Sequence, residues 1–494
     1  MAKQPAKVNY FFKGAYVELL CTIAATFCNL GRTIADAAVF TFYALADFFD
    51  HIWDAIKSIF AVEFDWDEIL ASIVALCKFG FGFGKLVCIL VLTTGLCVFF
   101  SAVHIIVLLC VMLIAYFFFL LWLGLDLIYR GLKRISSNCS NCQSHFALPV
   151  YICPDCGEEH TKLVPSKYGI WKRTCECGAK LPTTFFNGRQ KLEALCPVCG
   201  MNIKDGGSHV DLPIPVIGGA SAGKTCLINQ AVTAIEGLSE EYGLDYEYSS
   251  DGNDDYEENY SNMSQGYLPQ KTNEMRLRYY RFYLSPKKAK VKNLVSLCDI
   301  AGEVYSDSTS LGEQIGYKHA SGFLMVVDPL SVDDFRNEVK NDIDVGKYGY
   351  SNDSIDEVVN LLITTLENMF SSNSKKALGT NLAVVFSKGD IPGLDEKIGD
   401  AAVNAYMEAN PKVTNRLDAQ NAVCEKFLMD YGEFNFLNNI RAKFKTIQFF
   451  VSSSLGHNVD GTPFAPQGVE DPVLWLIDKA SKTIDLKQKW GKKL

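Results

Sequence analysis

Between Ile214 and Thr225 the chain reads Ile-Pro-Val-Ile-Gly-Gly-Ala-Ser-Ala-Gly-Lys-Thr, an apolar run that empties into a glycine-rich turn. Gly218, Gly223, Lys224 and Thr225 stand in the spacing G-x-x-x-x-G-K-[ST]. This stretch demands a strand before it, a helix after it and almost no side chain between. Gly218, Gly219, Ala220, Ala222 and Gly223, with Ser221 in the same turn, let backbone N–H groups curl around an anion without Cβ clashes. A helix over roughly 224–235, with Cys226 in its first turn, points its positive end at the same anion. In that arrangement Lys224 bridges the β- and γ-phosphates of a nucleotide and the Thr225 hydroxyl holds Mg²⁺. The alternative is an ordinary glycine turn ahead of a helix.

Three later apolar strands carry polar ends in a fixed order. Asn293–Asp299 ends in Asp299-Ile-Ala-Gly302-Glu303, where the acid can orient Mg²⁺ through water and the glycine N–H can approach a γ-phosphate. Asn381–Asp390 ends in Ser387-Lys388-Gly-Asp390. The Asp390 carboxylate can accept both the N1–H and the 2-amino hydrogens of guanine, while Lys388 lays its stem over the base; adenine offers no such donor pair. Thr446–Ser453 leads into a small-residue loop whose backbone can reach guanine O6. Thr272, ahead of a strand expected over 275–284, stands where a Mg²⁺-sensing threonine would. Lys224, Thr225, Thr272 and Glu303 are therefore the candidate catalytic groups, and Thr225, Thr272 and Asp299 the candidate magnesium ligands. Residues 206–494 read as one α/β P-loop NTPase domain. Within it, 239–262 carries nine acids, five tyrosines and no Lys or Arg, as expected of a solvated insertion.

Eight of the 17 cysteines lie between 139 and 199. They form the pairs Cys139/Cys142, Cys153/Cys156, Cys175/Cys177 and Cys196/Cys199, three of them followed by glycine. Such knuckles aim two thiolates at one ion, and two knuckles make a tetrahedral zinc site. The simplest pairing joins neighbours, 139/142 with 153/156 and 175/177 with 196/199, for two zinc ions in a zinc-ribbon module over 136–205. Iron–sulfur and reactive thiols are the alternatives. A segment this short builds little apolar core, so the metal supplies its folding energy.

From Leu86 to Leu125 there are 40 residues without Asp, Glu, Lys or Arg. One helix of that length would measure about 60 Å, twice a bilayer core. The expectation is a transmembrane hairpin over 81–135, with spans near 86–100 and 105–125 and a turn at Ser101–His104. Lys85 before it and Arg130, Lys133 and Arg134 after it would put both flanks in the cytosol. Residues 1–80 read as an amphipathic helical region, with Leu45, Phe48, Phe49, Ile52, Trp53 and Ile56 at helical spacing.

The order of these strand-end motifs resembles that of Ras-like GTPases of the TRAFAC clade. More narrowly, Gly169–Pro182, Gly188-Arg189, Cys196-Pro-Val-Cys-Gly200 and Gly468-Val-Glu-Asp-Pro-Val-Leu-Trp-Leu476 resemble bacterial double-GTPase-type proteins of conflict systems. The resemblance covers roughly 153–486. It implies GTP binding and slow hydrolysis inside a multi-gene assembly. Ser387 stands where Ras-like proteins usually have Asn, and Glu303 where many have a water-orienting Gln. No arginine finger is identifiable.

The combined reading is a GTPase switch anchored in the inner (cytoplasmic) membrane, with its zinc module and GTPase domain in the cytoplasm. Its cofactors are GTP or GDP, Mg²⁺ and two Zn²⁺. Its partners are guanine nucleotide, the lipid bilayer and a protein effector or activator, such as another component of a GTPase system. The net charge of −9 disfavours nucleic acid, which only the basic zinc segment keeps as an alternative. The other function classes are an ATP-hydrolysing membrane protein and a non-catalytic zinc-bearing scaffold.

Overall fold

The computed structural model describes residues 4–61, 65–133, 135, 137–139, 142, 144–203, 209–249, 256–265, 278–289, 291–299, 319–369, 379–456, 464–486 and 489–490. The chain divides into two compact units, residues 1–129 with 151–192, and residues 130–150 with 193–494. The segment expected as one zinc module is thus shared between them.

The first unit is built on long helices: α1 (Gly14–Phe60), α2 (Trp66–Cys88) and α3 (Thr94–Lys133). A π-helical turn at Ile89–Thr93 joins α2 to α3 without a break. The turn expected at Ser101–His104 is helical. Nothing in the uncharged run supplies a helix stop, and it is α1 and α2 that pair antiparallel instead, Asp47 beside Lys78 and Phe40 beside Gly82. The Asp65 carboxylate caps α2 by accepting from Asp67 N–H at 2.8 Å. Lys85 and Arg130 consequently lie at opposite ends of the run, not on one flank.

Small residues make the seam between α1 and α2. Ala37, Thr41, Ala44 and Ala75 are buried, and a Cβ on Gly82 would meet Phe40 and Thr41 at 3.1–3.3 Å. Asp47 and Lys78 pair across the seam at 3.4 Å. The large apolar side chains face outward. Both helical stretches are long and apolar enough to cross a membrane, the second with mean hydropathy 3.0. Near the end of α3, Asp126 is wholly buried. It pairs with Arg189 at 3.2 Å and accepts from Phe185 N–H at 3.1 Å, fixing the 183–189 loop to the helix.

The second unit carries a seven-stranded sheet: β1 (Val210–Ile217), β2 (Leu244–Tyr248), β3 (Arg278–Pro286), β4 (Asn293–Asp299), β5 (Phe323–Val327), β6 (Asn381–Phe386) and β7 (Thr446–Val451). Their spatial order is 2-3-4-1-5-6-7. From β4 to β7 all neighbours run parallel; β2–β3 and β3–β4 run antiparallel. β1 and β4–β6 are almost fully buried, as parallel strands covered on both faces must be. Part of the acidic segment expected to be solvated forms the edge strand β2. Its Leu244, Tyr246 and Tyr248 turn inward while Asp245 and Glu247 face water, the alternation an edge strand needs.

α4 (Lys224–Leu238) packs Leu227, Ile228, Ala231, Val232 and Ile235 onto the sheet. On the same face lies α5 (Asp471–Ala480), whose Pro472 sits in the first turn and whose Val473, Trp475, Leu476 and Ile477 are buried.

Candidate functional site

The parallel strands end at one level. Asp299 of β4 is opposite Val216 of β1, and Phe386 of β6 is opposite both Val327 of β5 and Val451 of β7. Gly218, Asp299, Asp328, Ser387 and Ser452 therefore emerge together at the carboxyl edge, on either side of β1 where the strand order reverses. Open α/β sheets bind ligands at such an edge.

The loop from Gly218 to Thr225 lies between β1 and α4. Ser221 (φ +62°) and Gly223 (φ +92°) adopt left-handed backbone, the conformation that gathers successive N–H groups into an anion nest. Gly218 has no room for a side chain, since a Cβ would stand 2.5 Å from the Val326 carbonyl oxygen. Lys224 is buried and donates from Nζ to the carbonyls of Gly218 (2.9 Å) and Gly219 (2.8 Å). Burial lowers its pKa, opposed by the carboxylates of Asp299 and Asp353. A phosphate would relieve that burial cost by pairing the ammonium. The Thr225 hydroxyl donates to Asp299 Oδ2 at 2.7 Å, bringing together the two groups expected to share a cation. Ala222 is buried under the loop, and burial pushes the Cys226 thiol up to about 12, keeping it neutral.

Ser387, Lys388 and Asp390 follow β6. Ser387 donates through N–H (2.9 Å) and Oγ (3.3 Å) to the Val327 carbonyl, so its tie is to β5 and not to the phosphate loop. Lys388, in left-handed backbone (φ +54°), reaches the Ser221 carbonyl at 3.5 Å and pairs with Asp328 Oδ2 at 2.6 Å. Asp390 is buried and accepts from Ser453 Oγ at 2.7 Å, while Gly456 N–H donates to that same oxygen at 2.9 Å. Ser453 thus orients the Asp390 carboxylate. Thr272, Gly302 and Glu303 lie outside the described residues.

Residues 212–427 match the model of the Double-GTPase 2 family. Over that stretch the domain resembles double-GTPase proteins. No curated protein matches the chain. Among solved structures, the chain is similar to Methanosarcina barkeri Roco2 RocCORdC bound to GDP, at 13% identity and TM-score 0.23. That match covers 56% of this chain and 51% of the other, so the chain spans about half the Roco2 structure. It is also similar to an ADP-ribosylation-factor-like GTP-binding protein, the small COPII coat GTPase SAR1 of Encephalitozoon cuniculi, in complex with GDP. Identity is 13%, TM-score 0.24, and the match covers 56% of this chain and 82% of that one.

The cysteines gather into two tetrads, though not by joining neighbours. Cys139, Cys142, Cys196 and Cys199 form one, Cys153, Cys156, Cys175 and Cys177 the other. In sequence the first knuckle pairs with the last and the second with the third. A tetrahedral ion with Zn–S bonds of about 2.3 Å sets its thiolates about 3.8 Å apart. Cys139–Cys199 (3.5 Å), Cys142–Cys196 (3.6 Å), Cys153–Cys177 (3.8 Å) and Cys156–Cys175 (3.6 Å) fit that spacing. Left-handed Gly157, Gly178 and Gly200 complete the knuckle turns. Both tetrads fit zinc.

Three residues at the nucleotide site carry no sequence motif: Asp328, Ser351 and Asp353. Asp328 is buried beside Lys388 and accepts from Ser351 N–H at 2.9 Å, and Asp353 accepts from Ala220 N–H at 2.6 Å. The one available signal was Asp328 at the polar end of the apolar run Phe323–Val327.

Proposed function

We propose that the protein is a membrane-anchored GTPase switch that binds and slowly hydrolyses GTP. The observation that carries this reading is the convergence of Lys224, the Thr225–Asp299 pair, Lys388 and the Ser453-held Asp390 at one sheet edge. Lys224 and the loop N–H groups hold the phosphates. Thr225 and Asp299 hold Mg²⁺, which offsets phosphate charge, and Asp390 reads guanine. Thr272, Gly302 and Glu303 are assigned to the segments that respond to the γ-phosphate. No arginine finger is identified among the described residues, which supports turnover that depends on a partner. Placement in a bacterial conflict-type assembly rests on the family resemblance.

The outward apolar side chains of α1–α3 and the small-residue seam support anchoring as a helical hairpin of α1 against α2 and α3. Lys7, Lys13, Arg130 and Lys133 then share the cytoplasmic side, which is consistent with the positive-inside rule.

The test is base specificity of the detergent-solubilised full chain. Asp390→Asn replaces an acceptor with a group that can also donate. It should lose GTP binding and gain xanthosine triphosphate, whose C2 carbonyl accepts where guanine donates. A variant that keeps wild-type GTP affinity would sink the Asp390 assignment.

A further inference from the structure

We propose that Asp353 is a positioning residue of the nucleotide site, bracing the phosphate loop and tying it to the base-reading lysine. This rests on the GTPase reading and adds to it a segment that no motif marks.

Residues 349–353 lie against the phosphate loop, where Gly349, Ser351 and Asp353 each meet a hydrogen-bond partner. Asp353 Oδ2 accepts from Ala220 N–H at 2.6 Å, and Asp353 N–H donates to Ser351 Oγ at 3.3 Å. Ser351 lies so close to the loop that a Cβ on Gly219 would stand 2.3 Å from its hydroxyl. Ser351 N–H donates to Asp328 Oδ2, the oxygen that also accepts from Lys388 Nζ, and Lys388 Nζ donates in addition to the Gly349 carbonyl. An unbroken chain of hydrogen bonds therefore runs from Lys388, through Asp328 and the 349–353 strap, to Ala220.

Location separates a brace from a competitor for phosphate. Asp353 lines the tight space between the loop and β5, together with Gly219, Ala222, Val326, Asp328 and Ile355. It approaches the loop from the sheet side. By taking Ala220 N–H it leaves the N–H groups beyond Ala220 to the ligand. A loop rich in glycine and alanine loses much backbone entropy when it is fixed. A charge-assisted bond at its middle removes part of that cost before nucleotide arrives. The same carboxylate opposes the burial that lowers the Lys224 pKa.

The experiment uses the full chain in detergent, as wild type, Asp353→Ala and Asp353→Asn, with affinities for GDP and guanosine. Amide hydrogen exchange at Ala220 is followed without nucleotide. Asp353→Ala should weaken GDP about 10- to 100-fold, the cost of a lost charged hydrogen bond, while guanosine changes by no more than about twofold. Asp353→Asn, whose amide oxygen can still accept from Ala220, should recover most of the loss. Exchange at Ala220 should quicken in Asp353→Ala only. Equal losses for GDP and guanosine, or tighter GDP binding by both variants, would overturn the brace. If wild type binds no guanine nucleotide, the GTPase reading fails, and unchanged exchange at Ala220 in Asp353→Ala would still overturn the brace by itself.

Discussion

Strand β5 is apolar from end to end and helix α3 almost so, and they dispose of that surface in opposite ways. All five residues of β5 are buried. In α3, Phe99, Phe100, Leu113, Phe117 and Leu120 are each 60% exposed or more, while its buried side chains are Met112, Ala115 and Asp126. Hydrophobicity alone therefore does not say where a segment goes. In the sheet domain the large residues face inward and the polar ends of strands hold the site. In the helices mostly small residues face inward, which leaves most of the large ones exposed.

The largest expected effect falls where neither packing scheme is available. The cysteine hairpins have little core of their own, and structural zinc contributes on the order of 10 kcal/mol in such folds. Chelation should release about two zinc ions per chain, read by a metal-sensitive dye, with loss of near-ultraviolet dichroism. A chain that releases no zinc would contradict the tetrad assignment.

Asp126 is the buried charge of α3. Asp126→Ala would strand Arg189, at an expected cost of about 3–5 kcal/mol in thermal unfolding, and Asp126→Ala/Arg189→Met should restore part of it. A more direct contrast compares phenylalanines. Phe386 is fully buried in the sheet core, so Phe386→Ala should cost about 3–5 kcal/mol. Phe117 is 62% exposed, so Phe117→Ala should cost no more than about 0.5 kcal/mol in detergent. Similar losses at the two sites would show that α3 packs into a protein core after all.

A further effect is electrostatic and appears as a pH dependence. Burial pushes Asp211 of β1 up to about 7 from its ordinary 3.8, although Arg281 nearby pulls it down. The folded state thus favours the protonated acid. The stability this contributes is complete below about pH 4 and is lost as pH rises through about 7. Asp211→Asn should remove that slope, seen as a melting temperature that falls less between pH 5 and 8 than in wild type.

What could be read from the chain followed the range of each signal. The phosphate loop, Asp299, Ser387-Lys-Gly-Asp390 and the strands carrying them are local patterns, since each is an apolar run with a polar end. The cysteine knuckles are local too, but their partnership depends on how the 50-odd residues between Cys142 and Cys196 fold, and neighbour pairing gave the wrong tetrads. The helical turn was misplaced because charge-free sequence gives no stop; the true signal was Asp65 as an N-cap ahead of Trp66-Asp-Glu. Asp353 was invisible because its role comes from a strap about 130 residues beyond the loop it touches.

The most direct test of the central claim is competitive nucleotide binding by the zinc-loaded full chain with Mg²⁺, comparing GTP, GDP and ATP. The account predicts selective guanine binding, lost in Lys224→Ala. Preferential ATP binding, or GTP affinity unchanged by Lys224→Ala, would contradict it.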